Sequence, residues 1–167
     1  SNSFSWPPKK FTTRWWSTIL DVESARHALL TSIKLATLAV LIAVVLGSLL
    51  AFALQNFSFY GKNTVSFLAV LPIALPGIVT GVAMRNTFMR FGWDLGLASV
   101  VAGHATFCIV IAYNNVAARL RRMAPNVAEA SSDLGATGWQ TFRYVTWPLM
   151  SGSVVAGGIL AFALSFD

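Results

Sequence analysis

Residues 126–148 read NVAEASSDLGATGWQTFRYVTWP, a polar stretch set between two long apolar runs. Its residue order spells two helix starts and one helix stop. Asn126 can cap a helix whose Glu129 reaches back to the cap amide, and Gly135 provides a left-handed stop, so a short helix is predicted over 127–134. Thr137 and Gln140 repeat the capping arrangement. A second short helix is therefore predicted to start at Gly138 and run toward Pro148, with Trp139, Phe142 and Val145 or Thr146 on one face. Two capped helices would then lie side by side between apolar segments.

Working outward, the chain holds uncharged apolar runs at 35–54, 63–84, 95–118 and 147–166, the last already apolar from Tyr144. A bilayer core of about 30 Å needs roughly 20 apolar residues in a helix, so each run is long enough to span. The fold class expected is all-α, a polytopic transmembrane helical bundle with four spans present over 35–167. The polar loop 119–146 lies between the third span and the fourth. Residues 1–34 carry Trp6-Pro7-Pro8, Trp15-Trp16 and an amphipathic stretch over 21–30. That composition suits an extracytoplasmic or interfacial lead-in, because tryptophan rings favour the headgroup level, with a soluble linker as the alternative.

Composition excludes several classes. Hydrophobic residues make up 56% and charged residues 11%, against about 25% charged in soluble domains, too few to clothe a water-soluble surface. The net charge of +6 is scattered over the flanks of apolar runs, without the basic stripe that nucleic-acid binding requires. Cys108 is the single cysteine and lies inside an apolar run, where it reads as a small packing residue. The basic residues Lys9, Lys10, Arg14, Arg26 and Lys34 interrupt any secretory hydrophobic core near the start. The chain opens on Ser1 and has no methionine before Met84, which reads as a fragment of a longer protein. An even number of spans puts Lys9, Lys10, Arg14, Arg26, Lys34, Arg85 and Arg90 on one side and Lys62, Arg119, Arg121, Arg122 and Arg143 on the other. That distribution leaves the orientation open.

The loop residues carry a family resemblance. Glu129-Ala130-Ser131, three residues, Gly135, nine residues, Val145, one residue, Trp147-Pro148 resembles the EAA loop, E-A-A-x3-G-x9-I-x-L-P, of binding-protein-dependent ABC importer permeases. Ser131, Val145 and Trp147 depart from the pattern and leave its helix and glycine signals in place. LPGIVTG at 75–81, GHATFC at 103–108, DLGAT at 133–137 and LAFALSFD at 160–167 are similar to the spermidine/putrescine permeases of that family.

The resemblance implies six spanning helices, the first and last lying outside this chain, and a bacterial inner-membrane location with the loop in the cytoplasm. There Arg119, Arg121 and Arg122 would meet anionic headgroups. It also implies ABC ATPase subunits, a second permease subunit, an extracytoplasmic solute-binding protein and the lipid bilayer as partners, with no nucleic acid. Glu129, Ala130, Ser131, Gly135, Val145 and Pro148 would form the ATPase-coupling loop. The chain has no GxxxxGK[ST] sequence, since Gly61-Lys62 lacks the upstream glycine and the following hydroxyl. ATP would be used by a partner subunit, with no cofactor and no catalytic site in this chain. A polyamine is the leading cargo, with iron(III), thiamine, phosphonate or sulfate as alternatives. An ATPase-independent channel, a membrane scaffold and a soluble helical module are readings of other classes.

Candidate residues for a translocation path are set by what a membrane tolerates. Pro72, Pro76, Gly77 and Gly81 interrupt the second run and predict a kinked or partly unwound helix, which at membrane depth must be buried or line a cavity. Gly77 and Gly81 could equally form a close helix contact. Thr80 lies between them. His104 is the ionisable side chain well inside a span, either lining a path or bonded to a neighbouring helix. Tyr113 reads as pore-lining or interfacial, and Asp94 and Asp167 sit at outer span ends, where they would attract a cation or simply be solvated.

Overall fold

The fold is that of a computed structural model, which describes residues 22–124 and 126–166. The chain divides into two compact units, Ser1–Lys34 and Leu35–Asp167. Most of the expected surface lead-in, with Trp6, Trp15 and Trp16, lies outside the described residues. Helix α1 runs over Glu23–Asn56 and takes in residues 23–30 of the stretch expected to be amphipathic. At about 1.5 Å per residue its 34 residues reach about 51 Å, well beyond the ~30 Å hydrocarbon core.

Small side chains set how α1 packs. Ala36, Ala39, Ala43, Gly47 and Ala51 recur every three or four residues and are buried, while Leu38, Leu41, Ile42, Val45 and Leu49 on the other faces are exposed. Lipid tails solvate leucine as well as a protein core does, so helix contact in a membrane rests on close van der Waals approach through small residues. The partner is α4, Leu97–Arg122. A Cβ on Gly47 would stand 2.8 Å from both the Ala112 Cβ and the Ile109 carbonyl oxygen. On its other side α4 meets α7, Trp147–Ser165, where a Cβ on Gly157 would lie 3.3 Å from the Ala112 Cα. Ala112 is thus held between two glycines.

The interior runs along this three-helix seam. Ala39, Val101 and Ala105 form one cluster, and Ala43, Cys108 and Ala161 a second. Ala51, Leu54, Tyr113, Val116, Ala117, Leu120 and Met150 form a third, against which Val65, Ala69 and Val70 of α2 pack.

The second apolar run, expected over 63–84 as a kinked or partly unwound helix, is broken into two helices. It forms α2, Lys62–Ala74, and α3, Gly77–Arg90, bent by 107° at the break between them. Pro76 has no N–H to continue the ladder and pushes Leu75 into an extended conformation, φ −89° and ψ 141°. Pro72 sits inside α2, which ends two residues later. Three stretches, α1, α4 and Gly138–Ser165, are each long and apolar enough to cross a membrane, and α2 with α3 would make a fourth as a broken pair. Among the described residues all regular structure is helical, as an all-α polytopic bundle requires.

Candidate functional site

Helix α5 covers Asn126–Asp133, one residue ahead of the expected 127–134 at each end, so Asn126 is a helical residue and not an outside cap. Its C-terminus closes as expected. Gly135 has φ +83°, and its N–H donates to the Ser132 carbonyl at 2.9 Å while the Ala136 N–H donates to the Ser131 carbonyl at 3.1 Å. These are the two bonds of a Schellman stop, which needs a residue free to turn left-handed. The second start also forms as expected. The Thr137 N–H donates to the Gln140 side-chain oxygen at 2.8 Å, and the Gln140 N–H donates to Thr137 Oγ1 at 3.4 Å, opening α6, Gly138–Thr141.

That second helix does not stop at Pro148. It passes through a π turn, Phe142–Thr146, into α7, making one rod over Gly138–Ser165. The reason lies in the proline, which lacks an N–H and crowds the carbonyl four residues back. The wider turn, in which the Trp147 N–H reaches the Phe142 carbonyl five residues back, carries an extra residue past that crowding. Phe142 packs into the join. Its ring meets Phe52 of α1 edge-on at 5.6 Å, stacks on Trp139 at 5.7 Å and lies 6.3 Å from Trp147.

Two further ties hold the loop to the bundle. Ser131 Oγ and Thr141 Oγ1 are 3.0 Å apart, joining α5 to α6, and Arg119 Nε donates to the Leu149 carbonyl at 2.8 Å, joining α4 to α7. The outer face of the loop is exposed. Glu129, Ala130 and Gly135 are exposed, and so are the apolar Leu134, at 89%, and Trp139, at 69%. Val145 is half-buried and Pro148 is exposed in the first turn of α7.

A cavity of about 640 Å³ opens between α3, α4 and α7, with Gly81, Arg85, Phe88, His104, Cys108 and Ser165 among its walls. His104 is half-buried there, and its Nδ1 lies 3.0 Å from the hydroxyl of the buried Ser165. The imidazole is therefore both cavity-lining and bonded to a neighbouring helix, the two roles that the residue type left open. The Cys108 thiol points toward the Ala161 carbonyl at 3.5 Å.

The other candidates scatter. Thr80 lines a smaller adjoining cavity of about 230 Å³. Pro76 and Gly77 are exposed at the bend and Pro72 is half-buried in α2. Among the described residues neither Gly77 nor Gly81 has a neighbour within 4 Å of a Cβ position, so there they make no close helix contact. Tyr113 is 3% exposed and packs in the apolar seam, away from the cavity. Asp94 is exposed beside the cavity-lining Leu95, and Asp167 lies outside the described residues. Among the described residues no three His, Cys, Asp or Glu side chains converge as a metal site. Sequence reasoning missed Arg85 and Ser165, which lie at the margins of apolar runs, and Thr141, whose role needs a partner ten residues away.

Comparison with known proteins adds identity to this geometry. Residues 43–167 match the family described as "Binding-protein-dependent transport system inner membrane component". The chain is 34% identical over 157 residues to the spermidine/putrescine transport system permease protein PotC of Escherichia coli K12, covering 94% of this chain and 60% of that protein. It is 31% identical over 164 residues to the putrescine transport system permease protein PotI of the same strain, covering 94% and 58%. To PotC of Haemophilus influenzae it is 32% identical over 163 residues, covering 98% and 63%. The chain thus spans about 60% of the length of the curated relatives it matches.

Proposed function

The chain belongs to the family of binding-protein-dependent transport system inner membrane components, and from that premise we propose that it acts as the permease subunit of an ATP-driven importer whose cargo is a polyamine. The observation that carries the reading is the loop between α4 and α7. Helix α5 has a fixed C-terminal stop, a hydroxyl tie to α6 and an exposed face with Leu134 and Trp139 beside it. A short helix so held can pass a displacement on, and its free face offers a partner apolar anchors.

In this reading the loop faces the cytoplasm and inserts into a separate ATPase subunit, and a second permease subunit completes the passage. A solute-binding protein delivers cargo outside, and ATP-driven movement of α5 tilts the α6–α7 rod and so reshapes the cavity at the other end of α7. His104, Ser165 and Gly81 form the wall that the cargo meets, and Asp94 at the outer end attracts a cation. The relatives' names support the polyamine assignment.

The test is reconstitution of the full-length permease with its ATPase and binding protein in proteoliposomes. ATP-dependent uptake of radiolabelled spermidine or putrescine is the expected result, with a cysteine at Ser132 cross-linking to the ATPase in a nucleotide-dependent manner. Uptake of iron(III), thiamine, phosphonate or sulfate instead would redirect the cargo. Passive flux with no ATPase bound would replace the importer by a channel.

A further inference from the structure

We propose that Ser131 and Thr141 are positioning residues for energy coupling, a hydroxyl pair through which α5 moves the α6–α7 rod. The inference rests on the importer reading above and adds to it the contact that carries the force. The Schellman bonds fix the end of α5 but not its angle to the rod; α5 lies against both α6 and the π turn that follows it, and a side-chain tie between them sets that angle. Packing alone lets two helices slide and tilt on one another unless a directed bond holds them. The Ser131–Thr141 contact at 3.0 Å is that bond.

Burial favours this role over a chance surface contact. Val127 and Ser131, four apart, are half-buried on one face of α5, while Ala128, Glu129, Ala130 and Ser132 are exposed. Thr141 is 8% exposed, so its hydroxyl is shielded from water that would compete for the bond. Each hydroxyl could instead have turned back onto its own helix, as Ser132 does in donating to the Ala128 carbonyl. Thr141 is also the last residue before the π turn. A push on it enters the rod one residue ahead of Phe142, whose contacts with Phe52, Trp139 and Trp147 brace the turn from the side. Displacement of α5 is thereby delivered to α7 and not absorbed in the join.

The test uses the complete transporter in proteoliposomes, with labelled spermidine and putrescine as probes, and reads molecules imported per ATP hydrolysed. Ser131→Ala and Thr141→Val should each lower that ratio about five-fold, the size expected from one lost hydrogen bond, and the double variant should lose no more than either alone. The KM for loaded binding protein should not change, and Thr141→Ser and Ser131→Thr, which keep both hydroxyls, should restore the ratio. Should Thr141→Val fail to fold, a Ser131→Cys/Thr141→Cys pair decides the matter: oxidation to the disulfide should preserve coupling and reduction should lower it. Ratios within two-fold of wild type in Ser131→Ala and in the reduced cysteine pair, or independent losses that multiply in the double variant, would overturn the inference while leaving the importer reading intact. Wild-type transporter without ATP-driven uptake of either polyamine would overturn the polyamine-importer reading and this inference with it.

Discussion

The imidazole Nδ1 of His104 lies 3.0 Å from the hydroxyl of Ser165, joining α4 to α7 on the wall of the cavity that α3 also lines. An interhelical hydrogen bond in a membrane is worth about 0.6 kcal/mol on average, so its loss should hardly touch the bundle. Its loss from the wall of the proposed passage should matter more. His104→Leu is expected to insert and assemble normally, with polyamine uptake reduced several-fold in reconstituted transporter. Unchanged uptake would take His104 off the pathway.

Accessibility supplies a second check on the same region. Thr80 is half-buried on the neighbouring cavity, and because the native Cys108, 1% exposed, lines the larger one, the experiment uses a Cys108→Ser background. A Thr80→Cys variant is expected to react with a membrane-impermeant thiol reagent in at least one nucleotide state. Protection in every state would separate α3 from the aqueous path.

Gly135 isolates backbone strain from packing, since its φ is +83° and nothing lies within 4 Å of a Cβ placed on it. A side chain there meets no neighbour, only the left-handed conformation, which costs an L-residue about 1–2 kcal/mol. Gly135→Val should therefore leave the spans folded in detergent while uptake and binding-protein-stimulated ATP hydrolysis fall together. Gly135→Asn should be milder, because asparagine visits that conformation more readily. Full coupling in the valine variant would remove α5 from the drive.

The glycines of the bundle form a graded stability series. A Cβ on Gly47 would stand 2.8 Å from two α4 atoms, on Gly157 3.3 Å from the nearest, and on Gly81 no atom would lie within 4 Å. Forcing a methyl into a packed interior costs about 1–3 kcal/mol. Thermal denaturation in detergent should rank Gly47→Ala as the most destabilised, Gly157→Ala next, and Gly81→Ala near wild type. A different order would show that α1 and α4 do not meet at Gly47.

Much of this protein was legible in one dimension. Length and apolarity decide that α1, α4 and the Gly138–Ser165 rod can cross a bilayer, because a backbone in lipid must satisfy its own hydrogen bonds and a helix of that length does so internally. The Gly135 stop and the Thr137/Gln140 start were readable for the same kind of reason. Such signals are local, set by residues within one turn of each other, and they form whatever surrounds them. Pro76 likewise announces a break, since it removes a donor and restrains its predecessor.

Only the tertiary structure decided the rest, because it depends on which surfaces meet. Local chemistry cannot say that the break at Pro76 becomes a 107° bend, or that Pro148 is absorbed by a π turn into a continuing helix. Gly77 and Gly81 have the spacing of a close contact and make none among the described residues, whereas Gly47, in an ordinary apolar run, sits so near α4 that a Cβ would not fit. Tyr113 has a polar tip suited to a pore and is buried in the seam, while His104, nine residues earlier, reaches the cavity. A helix shows several faces of similar composition, and the choice among them is made by the shape of its neighbours. Contacts such as Ser131 with Thr141 exist only once the chain has turned back on itself.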